Sequence, residues 1–281
     1  MKIRFPREAG FFYARYKEPL RSEITECFLH KLGPGKTPKV NENGPRKIIA
    51  SICPHAGYMY SGPVASHAYY AIAEDGIPSS IVIIGPNHTG MGSGVSIMVE
   101  GLWRTPFGDV PVDSELAWKI QRESKIIDID DSAHENEHSI EVQIPFLQYL
   151  YSSIKIVPIC MLMQDLETSF EVGEAIGKAV SGANVLVIAS TDLTHYEAKR
   201  TAETKDNLVI DAILKLDESL LQAIVEKHSI TMCGYGPVSA ALVASKKLGA
   251  RSVNFLCYKT SGDITGDYAQ VVGYAALTIL K

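Results

Sequence analysis

An α/β fold with helices on both faces of a sheet is what the sequence predicts, and three observations predict it. Apolar, mostly β-branched runs at 48–53, 81–84 and 185–190 have the composition of strands buried on both sides. Longer segments of helical periodicity stand between and around them, so strands and helices interleave. Each run ends in a turn that carries a histidine, and in open α/β sheets ligands collect at the carboxyl ends of the strands.

The elements follow in order. The opening segment, to about residue 43, mixes aromatic residues with a helix expected over 18–32. A loop, Gly33-Pro34-Gly35-Lys36-Thr37-Pro38, follows it, and the segment reads as an irregular cover or a lid. The run Ile48-Ile49-Ala50-Ser51-Ile52-Cys53 is a strand, with a helix near 63–74 after it. Strands at 80–85 and near 94–100 precede helices at 114–124 and 138–151. Strand 154–160, helix 167–181 and strand 185–190 continue the alternation. Helical patterns near 200–215, 217–227 and 237–248, a strand at 252–258 and a strand-like stretch from Tyr268 to Leu280 complete it. The chain shows neither a solenoid repeat nor a low-complexity tract, and residues 1–281 are expected to form a single domain.

Composition narrows the function classes. An apolar fraction of 46% with 21% charged residues supplies a sizeable core and excludes wholesale disorder. The net charge of −5, with signs interspersed, argues against nucleic acid as a partner. No apolar run approaches the roughly 18 residues of a membrane span, and the first residues lack the apolar segment of a secretory signal. The five cysteines, Cys27, Cys53, Cys160, Cys233 and Cys257, are odd in number and without paired spacing, so no disulfide framework is expected and the cytoplasm is the natural compartment. Cys53, Cys160 and Cys257 sit in apolar runs and read as core thiols. Neither G-x-G-x-x-G nor a P-loop occurs, which leaves dinucleotide and nucleoside triphosphate cofactors unsupported.

The candidate site residues are those at the strand ends. His55, in Pro54-His55-Ala56-Gly57-Tyr58, and His88, in Gly85-Pro86-Asn87-His88, would reach the same rim; either alone would more often be a structural histidine, but the repetition favours a site. Asp192 and His195 follow the third run. Asp192 would orient an imidazole or bind metal and His195 would move protons; alternatively Thr191 or Asp192 caps a helix and His195 is merely exposed. Cys233, in the glycine-rich turn before Pro237, is either a thiolate ligand or nucleophile, or a buried thiol. In the polar segment Asp130–Glu141, His134 and His138 stand four apart, as in H-E-x-x-H zincins. The acids there read instead as helix-start chemistry, which makes His138, at the helix mouth, the better site candidate. Trp103 is a cleft surface or packing beneath a loop, and the stretch from Asp263 to Tyr268 is a polar cleft wall or a solvated turn.

Taken together, these segments resemble the Memo family. They are Pro54-His55-Ala56-Gly57-Tyr58 with Ser61-Gly62, Gly85-Pro86-Asn87-His88, Glu137-His138-Ser139-Ile140-Glu141-Val142-Gln143, Ser190-Thr191-Asp192-Leu193-Thr194-His195-Tyr196, Cys233-Gly234 and Ser261-Gly262-Asp263-Ile264-Thr265-Gly266-Asp267-Tyr268. They run in order across nearly the whole chain.

The resemblance implies a three-layer α/β/α sandwich around a mixed sheet, similar to the class III extradiol (LigB-like) dioxygenases. In those relatives two histidines and a carboxylate hold non-haem iron. Here His55 and His88 would match the histidines, and Cys233 would replace the carboxylate as the third metal ligand, with Asp192, His195 and His138 as catalytic groups in the same cleft. A thiolate is softer than a carboxylate, so the resemblance implies iron or copper as the divalent transition metal, with zinc also tolerated. Prokaryotic relatives are partnered with radical-SAM and AMMECR1-like proteins. Two functions follow as expectations: a metal-dependent oxidoreductase acting on an unidentified small molecule, or a module that binds a peptide, phosphorylated or not, in the same cleft without turnover. A metal-free hydrolase using Cys233 and His195 is a third.

Overall fold

The computed structural model describes residues 2–281. The first half of the chain holds β1 (Ile3–Arg4), α1 (Lys17–Leu29), β2 (Ile48–Cys53), α2 (Tyr58–Asp75), β3 (Ser80–Pro86), β4 (Val95–Ile97), β5 (Leu102–Thr105), β6 (Gly108–Pro111), α3 (Ser114–Arg122), β7 (Asp128–Ile129), α4 (Ser132–Glu135) and, after a 3₁₀ turn at Glu141–Gln143, α5 (Ile144–Leu150). The second half holds β8 (Ile156–Met161), α6 (Leu166–Ala179), β9 (Val185–Ser190), β10 (His195–Glu197), α7 (Lys199–Leu214), α8 (Glu218–Lys227), α9 (Tyr235–Lys247), β11 (Ser252–Thr260), α10 (Gly262–Thr265) and β12 (Val271–Leu280).

The three apolar runs lie at the centre of a nine-stranded mixed sheet, in the order β10-β12-β2-β9-β3-β8-β4-β7, with β11 also pairing β12. Strands β2, β9, β3 and β8 are mutually parallel, while β12 runs antiparallel to β2. Every residue of β2, β3 and β8 is buried, which is why these segments read as continuous rather than alternating apolar runs. Helix α2 covers one face with α1 and α5 against it; α9, backed by α6 and α8, covers the other. Close approach of α1 to α2 needs Gly62, where a Cβ would lie 2.4 Å from Cys27 Sγ. The architecture is the α/β sandwich around a mixed sheet that the sequence leads one to expect.

Several boundaries differ from expectation. Helix α2 starts at Tyr58 rather than 63, with Pro63 inside it. The strand near 94–100 is only β4, and residues 102–111 form a hairpin that periodicity missed, joined edgewise by β1. The largest departure is the helix expected over 138–151. Glu137 is buried, and its Oε1 accepts the main-chain N–H groups of His138 (2.9 Å) and Ser139 (2.8 Å), so the backbone turns around a carboxylate and regular helix begins only at Ile144. His134 and His138 therefore share no helix face.

No helix among the described residues is long and apolar enough to cross a membrane.

Candidate metal centre and cleft

The carboxyl ends of the parallel strands meet at one rim, as the strand order requires. His55 follows β2, His88 follows β3, Asp192 follows β9, and Cys233 precedes α9. One nitrogen from each of His55 and His88 and the Cys233 sulfur lie within 4.8 Å of one another. The His55 and His88 rings are 5.2 Å apart and nearly perpendicular at 79°.

Each donor is held from behind. His55 Nδ1 meets Ser190 Oγ at 2.9 Å and its Nε2 lies 3.2 Å from Cys233 Sγ. His88 Nδ1 meets Glu137 Oε1 at 2.9 Å, which leaves Nε2 for a ligand, and its main-chain N–H donates to Glu137 Oε2 at 2.5 Å. Cys233 is fixed by its own N–H to the Asp192 carbonyl (3.3 Å) and by the Asp192 N–H to its sulfur (3.2 Å). Gly234 is required next to it, because a Cβ there would fall 2.5 Å from the Ser190 carbonyl oxygen.

The electrostatics follow from burial. Burial would raise the Glu137 carboxyl, but the His88 hydrogen bond, the neighbouring imidazoles and the Ser139 N–H bring it down to about 2, so it is an anion behind His88. Burial holds His55 well below the usual imidazole range and His138 down to about 4, so both are neutral. Burial, then the nearby Asp192, pushes the Cys233 thiol upward. Asp192 itself is raised by burial to about 6, against the N–H of His55, which donates to its Oδ1 at 2.9 Å; its Oδ2 is 4.0 Å from His55 Nε2.

A cleft of about 700 Å³ opens onto His55, His88, His138, Asp192 and His195. His138 stacks on His88 at 4.5 Å and packs edge-on against Phe12 at 5.0 Å. His195 is half-buried, with Nδ1 2.8 Å from the Thr231 carbonyl and its N–H on Thr231 Oγ1, so Nε2 is the free nitrogen. Phe11 and Phe12, from the opening segment, line the cleft with Tyr274. Asp192 and Thr191 cap no helix, since β10 follows them.

Other sequence candidates lie elsewhere. His134 is fully buried against Trp103, ring centroids 5.8 Å apart, and neither ring nitrogen has a hydrogen-bond partner. Trp103 packs under the Arg4 guanidinium at 4.6 Å and does not line the cleft. From the turn after β11, Ser261, Thr265 and Asp267 do line the cleft, whereas Asp263 pairs with Lys199 at 2.6 Å. Glu137 and Ser190, the groups behind the two histidines, had no role assigned from sequence; adjacency to His138 and to the β9 strand end was the only signal. The acids of 135–141 are not all helix-start residues, because Glu141 accepts from Arg4, Arg7 N, Glu8 N and Tyr13 Oη at the root of the opening segment.

Comparison with known proteins places this geometry in context. A family model described as Memo-like protein matches residues 4–278. A MEMO1 family protein of Methanopyrus kandleri is 52% identical over 281 residues, covering 99% of both chains, and one from Methanothermobacter thermautotrophicus is 52% identical over 278 residues, covering 98% of this chain and 100% of the relative. Among solved structures, an uncharacterized Escherichia coli K12 protein superposes with a TM-score of 0.56 at 14% identity, covering 82% of this chain and 99% of its own; that likeness concerns the fold alone.

Proposed function

The chain belongs to the Memo family, and from that premise we propose that it is a metal-binding, redox-type protein with an extradiol-dioxygenase-like cleft, His55, His88 and Cys233 being the ligands. The observation that carries this reading is the convergence of three donors, from three separate connections, to within 4.8 Å. Two imidazoles and a thiolate suit iron or copper and tolerate zinc. Cys233 stays protonated until a cation takes the proton's place, so loading releases a proton. When bound, the metal supplies Lewis acidity or electron transfer at open coordination positions.

The protein's own groups do the rest. His195 Nε2 accepts or returns a proton at a substrate atom, because Nδ1 is committed to the Thr231 carbonyl. Asp192 fixes the main chain of His55 and faces its imidazole. His138 presents a neutral ring as a substrate contact, and Phe12 and Tyr274 shield the inner cleft from water. The substrate is a small molecule or a peptide segment.

A second reading has one observation in its favour: Phe11, Met59 and Tyr196 are exposed where they line the cleft, an apolar collar suited to gripping a partner without turnover. Among the described residues no Lys or Arg lines this cleft, so a phosphopeptide would find no ammonium or guanidinium group there to pair with its phosphate. Radical-SAM and AMMECR1-like proteins are the partners, and the cytoplasm the compartment, that go with the family reading.

The test is metal analysis of anaerobically purified protein. About one equivalent of iron or copper is expected in the native chain, and loss of it in both His55→Ala and Cys233→Ala. Unchanged metal content in both variants would sink the centre, and partner binding that survives chelation would favour the second reading.

A further inference from the structure

We infer that Ser190 and Gln143 are positioning residues that lock His55 in the one tautomer able to bind a metal through Nε2. The inference rests on the proposed metal centre for its purpose, but its physical content is a property of the protein alone.

Every proton in the chain of contacts behind His55 has a forced direction. Gln143 is buried, and one atom of its amide faces both the Pro54 carbonyl (3.0 Å) and Ser190 Oγ (2.7 Å). A carbonyl oxygen can only accept, so the atom facing it is Nε2, and Oε1 is left to accept from Tyr69 Oη at 2.5 Å. Ser190 Oγ lies 2.6 Å from the Ser139 carbonyl, which again can only accept, so the single hydroxyl proton of Ser190 is spent there. With that proton gone and Gln143 donating to it, Ser190 Oγ is an acceptor toward His55. His55 Nδ1, 2.9 Å away, therefore carries the hydrogen, and the lone pair is on Nε2, facing Cys233 Sγ.

The lock is built of neutral groups. Tyr69, Gln143 and Ser190 are all buried, and burial pushes the Tyr69 hydroxyl well above its usual range. His88, by contrast, is set by the anionic Glu137. Loss of an outer partner of a ligating histidine typically weakens metal binding by about 10–100-fold.

The experiment reads the tautomer directly. In metal-free protein, long-range ¹⁵N–¹H NMR should show His55 protonated at Nδ1; protonation at Nε2 overturns the proposal at once. Ser190→Ala should give a mixed or inverted His55 tautomer and weaken Zn²⁺ binding, measured by chelator competition, about 10-fold or more. Ser190→Thr should restore both. Gln143→Met, which keeps the bulk and removes the amide, should give a smaller change of the same kind and supports the proposal even where Ser190→Ala is poorly folded. An unchanged tautomer together with Zn²⁺ affinity within about twofold of native in well-folded Ser190→Ala overturns it. A native chain that binds no Zn²⁺ while showing the Nδ1–H tautomer would count against the metal centre and for the lock.

Discussion

Arg4 and Glu141 form an ion pair buried from solvent across 137 residues of sequence. The carboxylate also accepts the N–H groups of Arg7 and Glu8 and the Tyr13 hydroxyl, while Arg4 donates to the carbonyls of His134 and Glu137. One buried acid thus anchors the opening segment, and with it Phe11 and Phe12, to the turn that carries Glu137 and His138. Phe12 is tied on its other side by the Tyr58 N–H.

Breaking this pair should therefore be costly. Glu141→Gln leaves the buried Arg4 charge uncompensated, a change worth about 3–5 kcal/mol. Urea unfolding should show that loss, and hydrogen exchange should speed up across residues 4–13, whereas a substitution at the exposed Arg104–Asp109 pair should cost under about 1 kcal/mol.

Glu137 should matter to metal binding through the hydrogen bond it makes to His88 Nδ1. Glu137→Gln retains the shape and removes the charge behind His88, and metal affinity should fall about 10–100-fold. Affinity within about twofold of native, by chelator competition, would show that the carboxylate only shapes the turn.

Gly234→Ala tests whether the Cys233 turn is as tight as it looks. The added methyl meets the Ser190 carbonyl, and overpacking of this kind costs about 1–3 kcal/mol. Both metal affinity and melting temperature should drop; a drop in stability alone would place the strain away from Cys233.

In the metal-free protein the buried histidines should each favour unfolding on acidification below neutrality, with a definite sign. His134 and His138, both lowered to about 4, and His55, lowered by burial, remain neutral when folded but charge near 6.5 when unfolded. Their stabilisation is present above 6.5 and is lost as pH falls through the folded values. Asp192, raised to about 6, acts oppositely: its contribution is present below 3.8 and is lost as pH rises through 6. Glu8, Glu23 and Asp206, raised by burial as well, act with Asp192, so the histidine contribution between pH 6.5 and 4 is read from substitutions at single groups. His138→Gln should flatten the slope by up to about one proton, and Asp192→Asn should steepen it; a slope unchanged in both would remove these groups from the acid response.

The strands and their helices were legible because burial on two faces writes itself into consecutive residues: Ile48–Cys53 and Val185–Ser190 are found where their composition puts them. The placement of His55, His88 and Asp192 near one rim followed from the same rule, that a strand's carboxyl end and the turn after it share an edge, whereas Cys233, between α8 and α9, was expected there only from the family resemblance. Glu137, Ser190, Gln143 and Glu141 were not legible in this way. Each acts through a contact with a residue some 45 to 140 positions away, and a carboxylate that collects N–H groups from a distant strand end has the same letter, in the same polar stretch, as one that caps a helix. Local sequence thus determined which strand-end side chains reach the cleft. Only tertiary packing decided which lone pairs and charges they present there, because hydrogen-bond direction is set by the partner behind each side chain and not by its neighbours along the chain.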